Sequence, residues 1–186
     1  MDVNAGQSSG EGLPLNSGNW VYGNGQMNRI DATSALLCDA ANLYDSFKVG
    51  FSAPYTLSKQ AEIAYAAATW PESVYRVENT ILTPSLGVLC YILLKGSYGV
   101  EAGTHLTQLI CKTVDIGATS LAFGVDFTLV NTGEIGQSTD FSLATIDSTR
   151  AIICVGDRSG GDQSSKYGGD FTSSWCKILA VSGSST

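Results

Sequence analysis

Residues 86–94, LGVLCYILL, form an uncharged apolar run between Pro84 and Lys95. A helix of that length falls well short of a bilayer, which needs about 20 residues. Bounded by turn-forming residues, the run suits a strand buried on both faces or central in a sheet. From Val74 onward its neighbours read the same way: VYRVENTIL alternates like a half-buried strand, and LTQLICKTV, SLAFGVDFTLV, FSLATI, RAIICVG and SWCKILAV follow at short intervals. KGSYG, NTGEIG and DRSGGDQ separate them, clusters that favour turns. Short strands with such punctuation predict a mainly β fold, an antiparallel β-sandwich or barrel.

Composition agrees. The chain of 186 residues has 21 glycines, and only 15% of its residues are charged against 44% hydrophobic, whereas helical bundles use more Glu, Lys and Arg. Low charge leaves much of the surface suited to burial in an assembly. The net charge of −7 and the isolated basic residues exclude the concentrated basic stripe that nucleic-acid binding requires. MDVNAGQSSGEGLP lacks a basic segment followed by an apolar one, so no secretory leader and no membrane partner are expected. Five cysteines with no C-x-x-C spacing argue against zinc clusters. Four have apolar neighbours (LLC, VLCY, LIC, IIC), which predicts small, buried, reduced thiols rather than disulfides.

Residues 1–19 read as an extended N-terminal arm that would contact neighbouring molecules, 20–182 as the β-sandwich domain and 183–186 as a tail. Propensity alone makes 32–47, ATSALLCDAANLYDSF, helical: Leu36, Ala40, Leu43 or Tyr44 and Phe47 would share a face behind an Asp31 cap. The alanine-rich stretch 58–70, SKQAEIAYAAATW, also suits a short helix, so short helices are expected between 39 and 70. A self-comparison competes with this. IDATSALLC (30–38) matches IDSTRAIIC (146–154) at Ile, Asp, Thr, Ala and Cys, and VDIGATSLAF (114–123) is a looser echo. A real repeat would make 34–38 a strand after an Ile-Asp turn. It would also pair 74–77 (VYRV) with 175–178 (WCKI) as closing segments, giving two related β-units at about 20–80 and 131–182.

No catalytic site is expected. GDRSGG (156–161) differs from the GDSGG loop of trypsin-like proteases by Arg158, which breaks the spacing of the oxyanion donors. The sole histidine, His105, lacks that family's A-A-H-C context, and only 27 residues follow Ser159. Asp157, Asp162 and Asp170 fit neither the calcium β-roll repeat nor an EF-hand, so neither metal nor cofactor is expected. Trp20, Tyr22, Trp70, Tyr75, Tyr167 and Trp175 could line a sugar-binding surface, but in β-rich chains such residues more often fill cores or interfaces.

The motif Ile-Asp-x-Thr-x-Ala-Ile-Ile at 146–153, its copy at 30–37, and a closing strand with Trp175 or Tyr75 resemble the repeated β-units of bacteriophage virion proteins, which occur in tail, fibre and capsid-decoration proteins. The alanine-rich segment 58–70 departs from that pattern. The resemblance implies a non-enzymatic structural role as a capsid-decoration (cement) or tail protein. Its partners would be copies of itself and other virion proteins, such as the major capsid or tail protein, and it would be assembled in a host cytoplasm. The alternative is a carbohydrate-binding β-sandwich such as a receptor-binding tip.

Overall fold

The computed structural model describes residues 26–38, 45–52, 56–64, 73–95, 106–130, 140–157 and 173–181. Both terminal segments, the proposed arm and tail included, lie outside them. Twelve strands occupy the described residues, all paired antiparallel in three sheets.

The first sheet holds β1 (Gln26–Arg29), β2 (Ser34–Cys38), β3 (Asp45–Ser52) and β4 (Thr56–Ala64), in that order. The central sheet runs β5 (Ser73–Thr83), β6 (Leu86–Lys95), β7 (Leu106–Ile116), β8 (Leu121–Phe123), with β9 (Phe127–Val130) on the same side of β7 as β8. β10 (Asp140–Asp147), β11 (Arg150–Asp157) and β12 (Ser173–Ala180) form the third sheet.

The central sheet is packed on both faces, as the uncharged run at 86–94 predicts. Along β6, Val88, Cys90 and Ile92 join Phe141, Leu143, Ala151, Ile153 and Val155 of the third sheet in one buried cluster. Alternate residues Leu89, Tyr91 and Leu93 join Leu36, Cys38 and Ile30 in the other. Successive side chains of a strand leave opposite faces, so a strand covered twice must be apolar throughout. The result is a three-layered β-sandwich with two cores.

No helix occurs among the described residues. Residues 34–38 and 45–47 of the first expected helix lie in β2 and β3, and 58–64 of the second lie in β4; 39–44 and 65–70 lie outside the described residues. Alanine content favours a helix by only tenths of a kcal/mol per residue. Pairing overrides it: β4 runs along β3 from Ser52↔Thr56 to Asp45↔Ala64.

The repeat is real as a turn, with strand β2 following the Ile-Asp pair as the self-comparison predicts. Its closing segment needs correction. β2 is closed by β3, with Leu36 opposite Lys48, whereas Val74 and Arg76 belong to β5 of the central sheet. The later copy is closed by β12, as expected.

The reduced-thiol expectation is also overturned. Cys90 bonds to Cys111 and Cys154 to Cys176, and Cys38 alone is free. Each disulfide joins residues directly opposite on adjacent strands, β6 to β7 and β11 to β12. Apolar neighbours along the chain made these cysteines look like isolated small core residues; the partner lies across the ladder.

Candidate functional site

The polar residues that the fold buries are the natural place to look for chemistry, because each must find a partner or forfeit about 1–3 kcal/mol. Among the described residues these are Ser34, Ser46, Lys48, Glu78, Asn79, Thr80 and Lys112.

Lys48 on β3 crosses to the central sheet. Its Nζ donates to the backbone oxygens of Gly117 at 2.7 Å and Ala118 at 3.0 Å, in the turn between β7 and β8. A charged donor on two carbonyls locks that turn to the first sheet.

Asn79 on β5, fully buried, knits the same two layers. Its backbone N–H donates to Gln26 Oε1, its Nδ2 donates to the Gln26 oxygen, and Asn28 Nδ2 donates to its backbone oxygen at 2.6 Å. Toward the third sheet, Thr80 Oγ1 lies 2.8 Å from Thr145 Oγ1, and Thr145 Oγ1 donates to the Ile81 oxygen at 2.7 Å. Arg76 spans the same gap, paired with Glu78 on its own strand and with Asp140 on β10.

Lys112 is the most elaborate case. β8 and β9 are two pieces of one broken strand along β7, and the break at 124–126 returns Asp126 to the sheet. Asp126 Oδ1 sits 2.6 Å from Lys112 Nζ, and its Oδ2 accepts from the Tyr91 hydroxyl at 3.3 Å. The ammonium also lies 5.5 Å from the Tyr91 ring centre and 5.2 Å from that of Phe123, within cation–π range. Burial, and then the Asp126 charge, push the Tyr91 phenol well above its ordinary range, so it stays a donor. The cluster holds charge in place; its groups are arranged to bind each other.

Two further constellations repeat. Asp31 Oδ1 accepts from the Thr33 backbone N–H at 2.7 Å and from its hydroxyl at 2.9 Å, while Oδ2 accepts from Ser34 Oγ. Asp147 Oδ1 accepts from the Thr149 N–H at 2.9 Å and its hydroxyl at 3.0 Å, and Oδ2 accepts from Arg150 Nε at 2.7 Å. These bonds hold both carboxyls low: Asp31 through the Thr33 backbone first, Asp147 through Arg150 first and down to about 2. In the third echo Gly117 takes the aspartate's place, and its N–H donates to the Ser120 oxygen at 2.9 Å. A Cβ there would collide with the Ser120 hydroxyl, so the glycine leaves room for that side chain.

Of the residues weighed for catalysis and calcium, only Asp157 belongs to the described residues. His105, Ser159, Asp162 and Asp170 lie outside the described residues, and Asp157 ends β11. No group of three or more His, Cys, Asp or Glu that could hold a metal occurs among the described residues. Of the aromatics considered for sugar binding, Trp20, Tyr22, Trp70 and Tyr167 also lie outside them. Trp175 is partly buried beside the core of the third sheet, with Lys177 Nζ 5.0 Å from its ring centre. Sequence reasoning missed the buried lysines: Lys48 and Lys112 read as single bases, and the partners that give them a role are 69 residues away in the first case. No local pattern marks them, because β3 (DSFKVGFS) and β7 (LTQLICKTVDI) carry other polar residues as well.

The chain matches no protein-family model, no curated protein and no solved structure.

Proposed function

We propose that this chain is a non-enzymatic structural component of a virus particle, of capsid-decoration or tail type, that acts through oligomeric assembly. The observation that carries the reading is the Asp-clasped hairpin recurring in separate sheets, at Asp31 and at Asp147 with the same acceptor atoms. The recurrence of this turn and of the strand after it supports the repeat on which the resemblance to phage virion proteins rests. The buried polar residues support it too, since they tie layer to layer as a load-carrying scaffold requires. Open sheets keep edge strands that must be covered or paired, and closed symmetric oligomers cover them efficiently. On this reading the chain is assembled in a host cytoplasm, and the outward-facing Cys154–Cys176 disulfide closes in the oxidising medium outside.

Light scattering coupled to size exclusion tests the assembly. A defined oligomer at micromolar concentration is expected, with peptides of this chain co-purifying with intact particles. A strict monomer that stays out of purified particles overturns the proposal. If that monomer bound a glycan array, the carbohydrate-binding reading would replace it.

A further inference from the structure

The two disulfides occupy equivalent places in their ladders but opposite surroundings. Cys90 and Cys111 have no exposure at all, and they sit in the core between the central and third sheets. Cys154 and Cys176 point the other way. Ala151, Ile153 and Val155 fill the core face of β11, which turns Ile152 and Cys154 outward beside Cys176 and Ile178. Cys176 is exposed and Cys154 partly so, and Ile178 next to them is 59% exposed.

Thiol–disulfide exchange needs a thiolate to reach one sulfur in line with the S–S bond. Burial closes that approach at Cys90–Cys111; exposure opens it at Cys176. We infer that Cys154–Cys176 is a thiol-exchange site of the folded protein, whose reaction partner is a small-molecule thiol of the glutathione class. The incoming thiolate attacks Cys176 Sγ, forming a mixed disulfide there and expelling the Cys154 thiolate, which takes up a proton. A second thiolate attacks the mixed disulfide, releasing the oxidised small-molecule disulfide and leaving Cys176 as a thiol. Two small thiols are oxidised and one protein disulfide is reduced.

The exchange acts on β12. Among the described strands β12 pairs only with β11, and its apolar anchors are the buried Leu179 and the partly buried Trp175, so the disulfide is its staple. Opening it loosens β12, whose contribution to the buried cluster of the central and third sheets is Leu179 with Trp175 beside it, and leaves the cluster on the other face of the central sheet intact.

Cys38 makes the test decisive. Its thiol is fully buried, so it reacts only when the fold opens. The oxidised protein is incubated with excess reduced glutathione at neutral pH, quenched, alkylated and mapped by mass spectrometry without reduction. Glutathionyl or alkyl groups are expected on Cys176 and Cys154 at a rate at least about 100-fold above labelling of Cys90, Cys111 or Cys38, because those three wait for local or global unfolding. Hydrogen exchange should quicken across 174–180 in the reduced form and stay unchanged in β6 and β7. Labelling of both disulfides at one rate, labelling that tracks Cys38, or no labelling before denaturant is added each overturns the inference. In the C154S/C176S variant the fast glutathione-dependent labelling should vanish; its persistence would also overturn it.

Discussion

The hairpins clasped by Asp31 and Asp147 share their turn and their strand register, yet they show opposite faces to the core. Arg29↔Ala35 and Met27↔Leu37 in the first correspond to Thr145↔Ala151 and Leu143↔Ile153 in the other. In the first copy Leu36 and Cys38 face the central sheet, and Met27 is 59% exposed. In the second, Leu143 and Ile153 face it, while Ile152 and Cys154 turn outward. The two sheets flank the central one from opposite sides, so the face turned toward it differs between the copies; in the first copy Ala35, Phe47 and Val49 on the other face are buried as well. The cross-strand pair shows the consequence. Where the face is covered, Cys38 sits opposite Ser46 and accepts a hydrogen bond from it at 3.1 Å. Where it is uncovered, Cys154 sits opposite Cys176 and is bonded to it. A covalent staple stands in for the missing layer.

The strongest way to break this comparison is to truncate matched positions. Leu36→Ala and Ile153→Ala each remove a side chain with no exposure, and each should cost about 2–5 kcal/mol of unfolding free energy. Their counterparts across the repeat, Ile152→Ala and Leu37→Ala, remove partly exposed side chains and should cost about 1–2 kcal/mol. Denaturant titration of the four variants decides it. Equal costs at 36 and 152 would mean that the two faces are not inverted.

The staple comes next. Its closed loop spans a sequence separation of 22, for which chain entropy gives about 3 kcal/mol. C154S/C176S should therefore lose about that much by denaturant titration, whereas Cys38→Ser, on the covered face, should lose only about 1 kcal/mol. A larger loss at Cys38 would reverse the argument that cover and staple substitute for one another. Smaller again is the tie that brings the cover down. Lys48→Met removes two charge-assisted bonds to the β7–β8 turn and should cost about 1–3 kcal/mol, with faster hydrogen exchange at Gly117 as its local signature.

How far these features were legible in the sequence follows from what each depends on. The central position of β6 depends on one strand's own residues, and LGVLCYILL carries it openly. The clasped turn depends on four adjacent residues, so a self-comparison finds it. The inversion of the two copies is illegible, because TSALLC and STRAIIC have the same pattern and only the neighbouring layer decides which face is inward. Strand β4 is hidden behind alanine, whose helical preference is weaker than a ladder with β3. Both disulfides left a trace that neighbour composition obscured: separations of 21 and 22, each joining two consecutive strands of the meander. The ties made by Lys48 and Lys112 depend on partners in another layer or across a broken strand, and no local pattern announces them.

The clasps themselves supply the finest comparison, through acid. A carboxyl whose folded pKa lies below its unfolded value stabilises the fold fully above the unfolded value, and loses that contribution as pH falls through the folded one. Asp31 and Asp147 both lie on that side of the ordinary 3.8, with Asp147 down to about 2. Stability should therefore hold above about pH 4 and decline between about pH 4 and 2 as the clasps protonate. The two differ in their first cause, backbone N–H from Thr33 for Asp31 and the Arg150 guanidinium for Asp147. Charge pairing at an exposed site is screened by salt, a backbone hydrogen bond much less so. Carboxyl titration by NMR in low and high salt should accordingly move the Asp147 midpoint upward by more than that of Asp31. Equal movement would show that Arg150 lends geometry alone, and that the two clasps are chemically as well as structurally one motif.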